Sequence, residues 1–137
     1  MLYFAYAIMP DHFHIVTDGK RSPSESLRYL NGVTARRIID HLKKNGPEAS
    51  LAKLRLAEKQ GDYKYSLWEH HADKFLLTSE SLFMQKVRYI NNNPVADGIV
   101  NYAEEYRFSS ARYWSRKPIL DDEPLEMDIR EIKWYSR

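Results

Sequence analysis

The sequence predicts an α+β fold, and three patterns along the chain support that prediction. An aromatic and aliphatic stretch at residues 2–9 is followed by a Pro-Asp turn and a second apolar run at 12–17, as in a β-hairpin. An amphipathic helix is predicted after this hairpin, and another in the second half of the chain. Antiparallel strands combined with separate helices indicate the α+β class.

The first helix has a clear start and a clear end. Ser22 is predicted as its N-cap, with Pro23 at the first helical position and Glu25 three residues after the cap. Apolar residues then recur at helical spacing until an Asn-Gly-Pro sequence at 45–47 stops the helix.

The elements that follow are predicted from shorter signals. Residues 47–60 are interpreted as a second short helix or an ordered connection, and residues 63–69 alternate like a half-buried strand. Thr78 is predicted to cap a helix over residues 79–92, which Pro94 ends because proline lacks the N–H that a helix needs.

Length and composition limit the number of domains and the chemistry. A chain of 137 residues with 43% hydrophobic residues predicts one domain, at 1–116, followed by an acidic tail at 117–137. The absence of cysteine excludes disulfides, thiolate zinc sites and cysteine nucleophiles, and fits a reducing cytoplasm. The first residues lack the basic region of a signal peptide, and their apolar run is too short to span a bilayer, so no membrane partner is expected.

The charge of the chain is unevenly distributed. Residues 20–90 contain 14 Lys and Arg against 8 Asp and Glu, whereas residues 97–137 contain 7 against 9. This asymmetry favours a polyanionic partner, although uneven charge is more often simply solvated surface.

Two histidines lie one residue apart in the predicted hairpin. Because side chains alternate along a strand, His12 and His14 point to the same side, about 6.6 Å apart along the backbone. Such a pair can bind one metal ion; the alternative is that both are simply packed or solvent-exposed. The adjacent His70 and His71 form a poorer pair, and His41 lies in a basic helical stretch that predicts a surface position.

Two histidines leave a metal site incomplete, because an open catalytic site usually has three protein ligands. The remaining donors are the oxygens of Asp, Glu, Asn and Gln side chains. A mixed nitrogen and oxygen set suits Mn²⁺, and suits Mg²⁺ less well because Mg²⁺ prefers oxygen.

A tyrosine occupies the polar side of the second amphipathic helix. Tyr89 lies about 200° around the helix from the apolar Val87 and shares its face with Lys86 and Asn93. One interpretation is an exposed tyrosine packed on a neighbouring loop. The other is a phenol nucleophile that attacks a metal-polarised phosphorus. The apolar stripe of this helix comprises Phe83, Val87 and Ile90.

These motifs together resemble a known family. The stretch "MPDHFHIV" resembles the HUH motif, two histidines around a hydrophobic residue, of the single-tyrosine HUH transposases. About 75 residues later, "YINNNPVADGIV" and then "YRFSSARYW" resemble the segment that carries their nucleophilic tyrosine. The most similar group is the REP-associated tyrosine transposases and their transposase-like relatives, and the resemblance extends from residue 2 to about residue 114.

The resemblance implies specific roles at the site. It implies that His12 and His14 bind a divalent metal, Mg²⁺ or Mn²⁺, with Asn93 as third ligand and Tyr89 as nucleophile. Such enzymes cut single-stranded DNA, often beside a hairpin, forming a 5′-phosphotyrosine link and a free 3′-hydroxyl that can later rejoin strands. The implied partner is therefore single-stranded DNA with a hairpin, in a cytoplasmic, nucleoid-associated location; monomer and homodimer both stay open.

Two further groups of residues are candidates for binding DNA. The first consists of basic side chains for backbone phosphates, and the second of aromatic side chains on which unpaired bases stack. The basic candidates are Arg36, Arg37, Lys86 and Arg88. The aromatic candidates are Tyr63, Tyr65 and Trp68.

The resemblance also implies a fold and an incomplete start. The family has a ferredoxin-like βαββαβ domain, an antiparallel sheet with helices on one face, whereas this chain begins at the strand just before the histidines. We therefore expect the first strand and helix to be missing, which leaves unpaired backbone edges. Three explanations of this incomplete start stay open: the sequence is internal to a longer protein, it relies on a partner chain, or it is a decayed copy without activity.

The leading functional hypothesis is a metal-dependent single-stranded DNA endonuclease and strand transferase. One alternative is a catalytically inactive remnant that binds single-stranded nucleic acid. A second alternative is a metal-dependent phosphodiesterase in which water replaces the tyrosine as nucleophile.

Overall fold

The computed structural model describes residues 1–60, 63–69 and 72–118. They divide into two compact units, one formed by residues 1–20 with the chain from Leu76 onward, the other by residues 21–75. The described residues contain two antiparallel two-stranded sheets and four α-helices, which confirms the α+β class. In chain order the elements are β1 (Tyr3–Ile8), β2 (Phe13–Thr17), α1 (Pro23–Asn45), α2 (Glu48–Leu54), β3 (Arg55–Gln60), β4 (Tyr63–Tyr65), α3 (Glu80–Ala96), a 3₁₀ turn (Ala103–Glu105) and α4 (Ala111–Trp114).

The first unit is built on the predicted hairpin. Strands β1 and β2 pair antiparallel, with Ala7 opposite His14, and the register shifts between Tyr3 and Ala5. The far edge of β1 is also hydrogen-bonded, because the amide of Ile8 donates to the carbonyl of Phe108 at 2.8 Å. A late segment of the chain therefore lies against the first strand.

Helix α3 packs on one side of this hairpin and closes the core. Its predicted apolar stripe is buried, with Phe83, Val87 and Ile90 each at most 5% exposed. The ring of Phe83 lies edge to face with those of Phe4 and Trp114, with centroids 6.1 and 6.0 Å away. The core residues are Phe4, Ala5, Ala7, Met9, Val16, Phe83, Val87 and Ile90.

Both predicted ends of α3 were wrong. Ser79, not Thr78, is the N-cap, because its hydroxyl accepts a hydrogen bond from the amide of Leu82 at 3.2 Å. The helix also continues through Pro94 to Ala96. Proline in the last turn removes only one hydrogen bond, and a Schellman motif closes the helix behind it.

The Schellman motif uses the backbone on both sides of Gly98. The amide of Ile99 donates to the carbonyl of Pro94, and the amide of Gly98 to the carbonyl of Val95, both at 2.9 Å. Gly98 has a φ of 73°, a left-handed conformation that glycine adopts without strain. The end of α3 is thus fixed by a glycine four residues beyond the proline.

A group of buried hydrogen bonds joins three segments of the first unit. The hydroxyl of Ser110 donates to Oδ1 of Asn91 at 2.6 Å and accepts from the amide of Tyr6 at 3.0 Å. The amide of Ser110 donates in turn to the carbonyl of Tyr6. Strand β1, helix α3 and the start of α4 are therefore held together by satisfied hydrogen bonds in the interior.

In the second unit, α1 begins as predicted. Ser22 and Glu25 form a capping box, in which the Ser22 hydroxyl accepts from the amide of Glu25 and a Glu25 carboxylate oxygen accepts from the amide of Ser22. Hydrogen bonds from Ser22 lower the pKa of the Glu25 carboxyl group. The helix ends at Asn45 before the Gly-Pro pair, as the sequence predicts.

The remainder of the second unit differs in part from the prediction. Residues 47–60 contain both the short helix α2 and strand β3. The strand predicted over 63–69 is confined to Tyr63–Tyr65, and the last bond of its ladder is donated by the amide of Ser66 to the carbonyl of Leu54. The histidines at 70 and 71 and residues 119–137 of the predicted acidic tail lie outside the described residues. Every helix in the described ranges is too short or too polar to cross a membrane.

Candidate functional site

The two histidines of the hairpin lie side by side at its turn. The imidazole centroids of His12 and His14 are 5.0 Å apart, with the rings nearly perpendicular. The turn is closed by a hydrogen bond from the amide of Met9 to the carbonyl of His12, at 2.8 Å. The predicted juxtaposition of the two imidazoles is therefore confirmed.

Helix α3 brings Tyr89 to the same place. The Tyr89 ring centroid is 5.6 Å from that of His14, and the ammonium of Lys86 is 5.6 Å from the Tyr89 ring. Tyr89 is 55% exposed, although the next residue, Ile90, is buried in the core. The apolar side of α3 thus fixes the helix on the hairpin, and the opposite side holds a phenol open to solvent.

Two buried polar atoms at this site have no hydrogen-bond partner within the described ranges. They are Nε2 of His14 and Oδ1 of Asn93. Asn93 is only 8% exposed, so water does not replace the missing partner freely. An unpaired buried acceptor costs about 1–3 kcal/mol, and most native structures avoid it. A bound ligand that accepts electron pairs from both atoms would remove this cost.

His12 is oriented by its neighbour in the turn. Nδ1 of His12 lies 2.6 Å from a carboxylate oxygen of Asp11, and this hydrogen bond lowers the pKa of Asp11. A carboxylate on Nδ1 favours the tautomer whose lone pair is on Nε2, an arrangement that commonly supports metal-binding histidines. Asp11 thus leaves Nε2 of His12 as the atom available to a ligand.

The environment of His14 favours its neutral form. Burial lowers the pKa of His14, and the nearby His12 and Lys86 side chains lower it further. Asn93 and the carboxylate of Asp97 oppose this effect, although His14 and Asn93 do not reach hydrogen-bond geometry. A neutral imidazole is the form that binds metal ions.

The candidate donor atoms at this site include both nitrogen and oxygen, so they fit a divalent cation that accepts both kinds of ligand. No group of three or more His, Asp or Glu side chains in the described part of the chain is placed to hold a metal ion. The candidate donor set is the one that the resemblance implies, the imidazoles of His12 and His14 with the amide oxygen of Asn93. This donor set suits Mn²⁺, and Mg²⁺ less well.

The basic residues predicted to bind DNA are divided between helices α1 and α3. Lys86 contacts the site, whereas Arg88 is an exposed residue of α3, and Arg36 and Arg37 are exposed on α1 of the second unit. His41 is exposed, as predicted.

The predicted aromatic candidates belong to the second unit. Tyr65 is half-buried, with Lys43 5.3 Å from its ring, and the Trp68 indole donates to Thr34 at 2.9 Å. The side chain of Tyr63 lies outside the described part of the structure.

Sequence reasoning missed two acidic residues around the site. Asp11 was assigned only to the turn, although its position next to His12 is a signal for a supporting carboxylate. Asp97 follows Asn93 by four residues and so lies on the same helical face, but the predicted end of α3 at residue 92 excluded it.

Comparisons of the chain with protein-family models, with curated proteins and with solved structures found no match.

Proposed function

We propose that this protein is a metal-dependent single-stranded DNA endonuclease and strand transferase, with Tyr89 as its nucleophile. The observation that supports this most directly is the position of the exposed Tyr89 phenol, whose ring centroid is 5.6 Å from that of His14. Among the described residues, the buried Nε2 of His14 and Oδ1 of Asn93 have no hydrogen-bond partner. A solvent-accessible nucleophile beside unpaired donor atoms is the arrangement needed for attack on a metal-bound phosphate. The resemblance to the HUH transposases supports the choice of DNA.

The proposed reaction transfers a phosphodiester from DNA to tyrosine. The Tyr89 oxygen attacks phosphorus, the bond from phosphorus to the 3′ oxygen breaks, and a 5′-phosphotyrosine remains on the protein. The phenol proton leaves as the new bond forms, and the departing oxygen takes up a proton to become a 3′-hydroxyl. The reverse attack by a 3′-hydroxyl rejoins the strand, so no external energy source is needed.

The residues around Tyr89 have distinct roles in this proposal. Lys86, with its ammonium 5.6 Å from the centroid of the phenol ring, attracts the phosphate to the nucleophile. His12, His14 and Asn93 would hold Mg²⁺ or Mn²⁺, which supplies charge neutralisation at the phosphate. Asp11 keeps the His12 ring oriented through its 2.6 Å hydrogen bond.

We also propose a specific fold within the α+β class. In this proposal β1, β2 and α3 are part of a ferredoxin-like HUH domain. That relationship is supported by His12 at the hairpin turn, His14 on β2 and the tyrosine on the helix packed against the hairpin.

A covalent-adduct assay tests the function. Protein is incubated with Mn²⁺ and a panel of labelled hairpin oligonucleotides with single-stranded flanks, and adducts are resolved on a denaturing gel. We expect a labelled band with the wild type and none with Tyr89→Phe. Tyr102→Phe is the matched control, because Tyr102 is an exposed tyrosine of the same unit and should leave the adduct unchanged.

The same assay separates the alternatives. Cleavage that persists in Tyr89→Phe without an adduct would show a phosphodiesterase that uses water. Binding of the oligonucleotide without cleavage or adduct across the panel would show a binding remnant, and the transferase proposal would then be wrong.

A further inference from the structure

A cleft lined by both polar and apolar side chains runs along helix α1 in the second unit. Its volume is about 360 Å³, within the range of about 300–1,000 Å³ typical of small-ligand sites. One wall consists of α1 side chains that recur every three or four residues from Ser24 to Ala35, and the other is the segment from Tyr65 to Glu69. We call it the α1 cleft.

One end of the α1 cleft carries positive charge. Ser24 and Arg28 are one helical turn apart on its wall, and the ammonium of Lys74 donates to the Ser24 hydroxyl oxygen at 3.2 Å. Among the described residues, neither cation forms an ion pair, and the Glu25 carboxylate beside them is already hydrogen-bonded to Ser22. Two cations beside a hydroxyl attract an anion such as a phosphate group.

The opposite wall contains the half-buried indole of Trp68, which is held in place by hydrogen bonds. Nε1 of Trp68 donates to the Thr34 hydroxyl at 2.9 Å, and that hydroxyl donates to the carbonyl of Leu30 at 2.7 Å. The Trp68 carbonyl accepts a further hydrogen bond from the Ser66 hydroxyl at 3.3 Å. An indole fixed in the wall of a cleft is a surface on which a flat ring stacks.

Two hydrogen-bond acceptors also line the α1 cleft. One is Asn31, whose buried Oδ1 has no hydrogen-bond partner among the described residues. The other is the exposed carboxylate of Glu69, which forms no ion pair in the described part of the chain. Because a buried acceptor without a partner is unfavourable, a ligand with several donors on one edge is favoured.

A flat ring, an anion and several donors on one edge occur together in a guanine nucleotide. The pairing edge of guanine carries an N1–H and an amino group, whereas adenine and cytosine have only the amino group, and thymine and uracil only one N–H. Ser24 and Asn31 are about 10 Å apart along the axis of α1, a distance that one nucleotide spans from its phosphate to its base.

We propose that the α1 cleft binds a guanine nucleotide. The base stacks on the indole of Trp68, and its N1–H and amino group donate to the Glu69 carboxylate and to Oδ1 of Asn31. The phosphate lies beside Arg28 and Lys74. The ligand is a free nucleotide or a guanosine within a single-stranded nucleic acid, which share this chemistry. The site lies within the second unit and does not depend on the proposed strand transfer.

Binding to the intact wild-type chain tests the class of ligand and does not depend on a variant folding. Isothermal titration calorimetry in EDTA is carried out with GMP, with IMP, which lacks only the amino group, and with guanosine, which lacks only the phosphate. We expect GMP to bind at least about fivefold more tightly than either analogue, because each analogue leaves a protein group without its partner. No binding of GMP, or equal affinities for GMP and IMP, would overturn the inference.

Variants of exposed residues then locate the bound nucleotide. Glu69→Gln should weaken GMP binding at least about fivefold, whereas Glu48→Gln, a matched change at an exposed residue of α2, should not. Arg28→Gln should weaken the binding of GMP but not that of guanosine, because only GMP has a phosphate. Lys44→Gln, on the same helix but outside the cleft, is its control. Equal losses in Glu69→Gln and Glu48→Gln, or in Arg28→Gln and Lys44→Gln, would contradict the assignment to this cleft.

Competition separates the two sources of the nucleotide. A labelled single-stranded oligonucleotide with one guanine is mixed with the protein in EDTA, and fluorescence anisotropy follows its displacement by GMP. Displacement, together with weaker binding when inosine replaces the guanine, assigns the cleft to a guanosine of a single strand. GMP binding without displacement assigns it to the free nucleotide. Neither readout uses the Tyr89 adduct, so this inference and the proposed function succeed or fail separately.

Discussion

The imidazole of His14 and the phenol of Tyr89 lie edge to face, with 5.6 Å between ring centroids and 78° between ring planes. One residue is on a strand and the other on a helix, and 74 residues separate them in the chain. Their proximity follows from the burial of Val87 and Ile90, which pack α3 against the hairpin. The core therefore sets the geometry of the site.

Asn93→Leu should stabilise the metal-free protein and weaken metal binding. The substitution removes a buried oxygen that has no partner in the described structure, so we expect the free energy of unfolding to rise by about 1 kcal/mol. It also removes a donor atom, so Mn²⁺ affinity should fall at least about tenfold. Urea unfolding in EDTA and Mn²⁺ titration followed by electron paramagnetic resonance measure the two effects.

Asn91→Leu provides the matched control on the same helix. Asn91 is equally buried, but its Oδ1 accepts a hydrogen bond from Ser110, so its loss should lower the free energy of unfolding by about 1–2 kcal/mol. Similar changes in stability for the two variants would contradict our account of Asn93.

Stability should depend on pH through His14. Its pKa in the folded protein lies below the ordinary value of 6.5, so in the window below that value the unfolded chain binds more protons. The free energy of unfolding should then rise with pH across this window and fall on acidification below about pH 6.5. Thermal melts at several pH values should show a weaker dependence in His14→Gln, whereas the exposed His41→Gln should leave the profile unchanged.

Phe83→Ala should disrupt the support of the site. Phe83 is 4% exposed and contacts the rings of Phe4 and Trp114, so truncation should cost about 3–5 kcal/mol. Chemical denaturation followed by tryptophan fluorescence measures this cost. If stability changed by less than the effect of substituting a half-exposed aromatic such as Phe108, Phe83 would not be a core residue.

Ser22→Ala should destabilise the start of α1. The variant removes the hydroxyl that accepts from the amide of Glu25, which is typically worth about 1 kcal/mol. Amide hydrogen exchange across α1 should increase in its first turn. Ser24→Ala, one residue inside the helix, is the control and should change exchange much less.

Local signals predicted part of the fold well. The capping box at Ser22 and Glu25 and the apolar stripe of α3 depend on residues within a turn or two of each other, so the sequence contains them directly. Pro94 was misinterpreted because its effect depends on position: at the last turn only one hydrogen bond is lost. The signal that decides the end, Gly98, lies beyond the proline.

The sequence predicted some features of the candidate site but not others. Strand alternation placed His12 and His14 together, and helical spacing placed Tyr89 away from the core. The position of residues 106–110 against β1 could not be predicted, because it depends on contacts about 100 positions apart in the chain, such as the hydrogen bond from the Tyr106 hydroxyl to the carbonyl of Ile8. Local periodicity carries no information on such contacts.

The hydrogen bonds of Ser110 have a consequence for the order in which the protein folds. Its hydroxyl and amide bond to Tyr6, 104 residues earlier, and its hydroxyl also bonds to Asn91. During synthesis the hairpin can form early, but the far edge of β1 stays open until residues 108–110 leave the ribosome. Contacts of such long sequence separation slow folding. The contact between the His14 and Tyr89 rings is therefore fully stabilised only after most of the described chain has been synthesised.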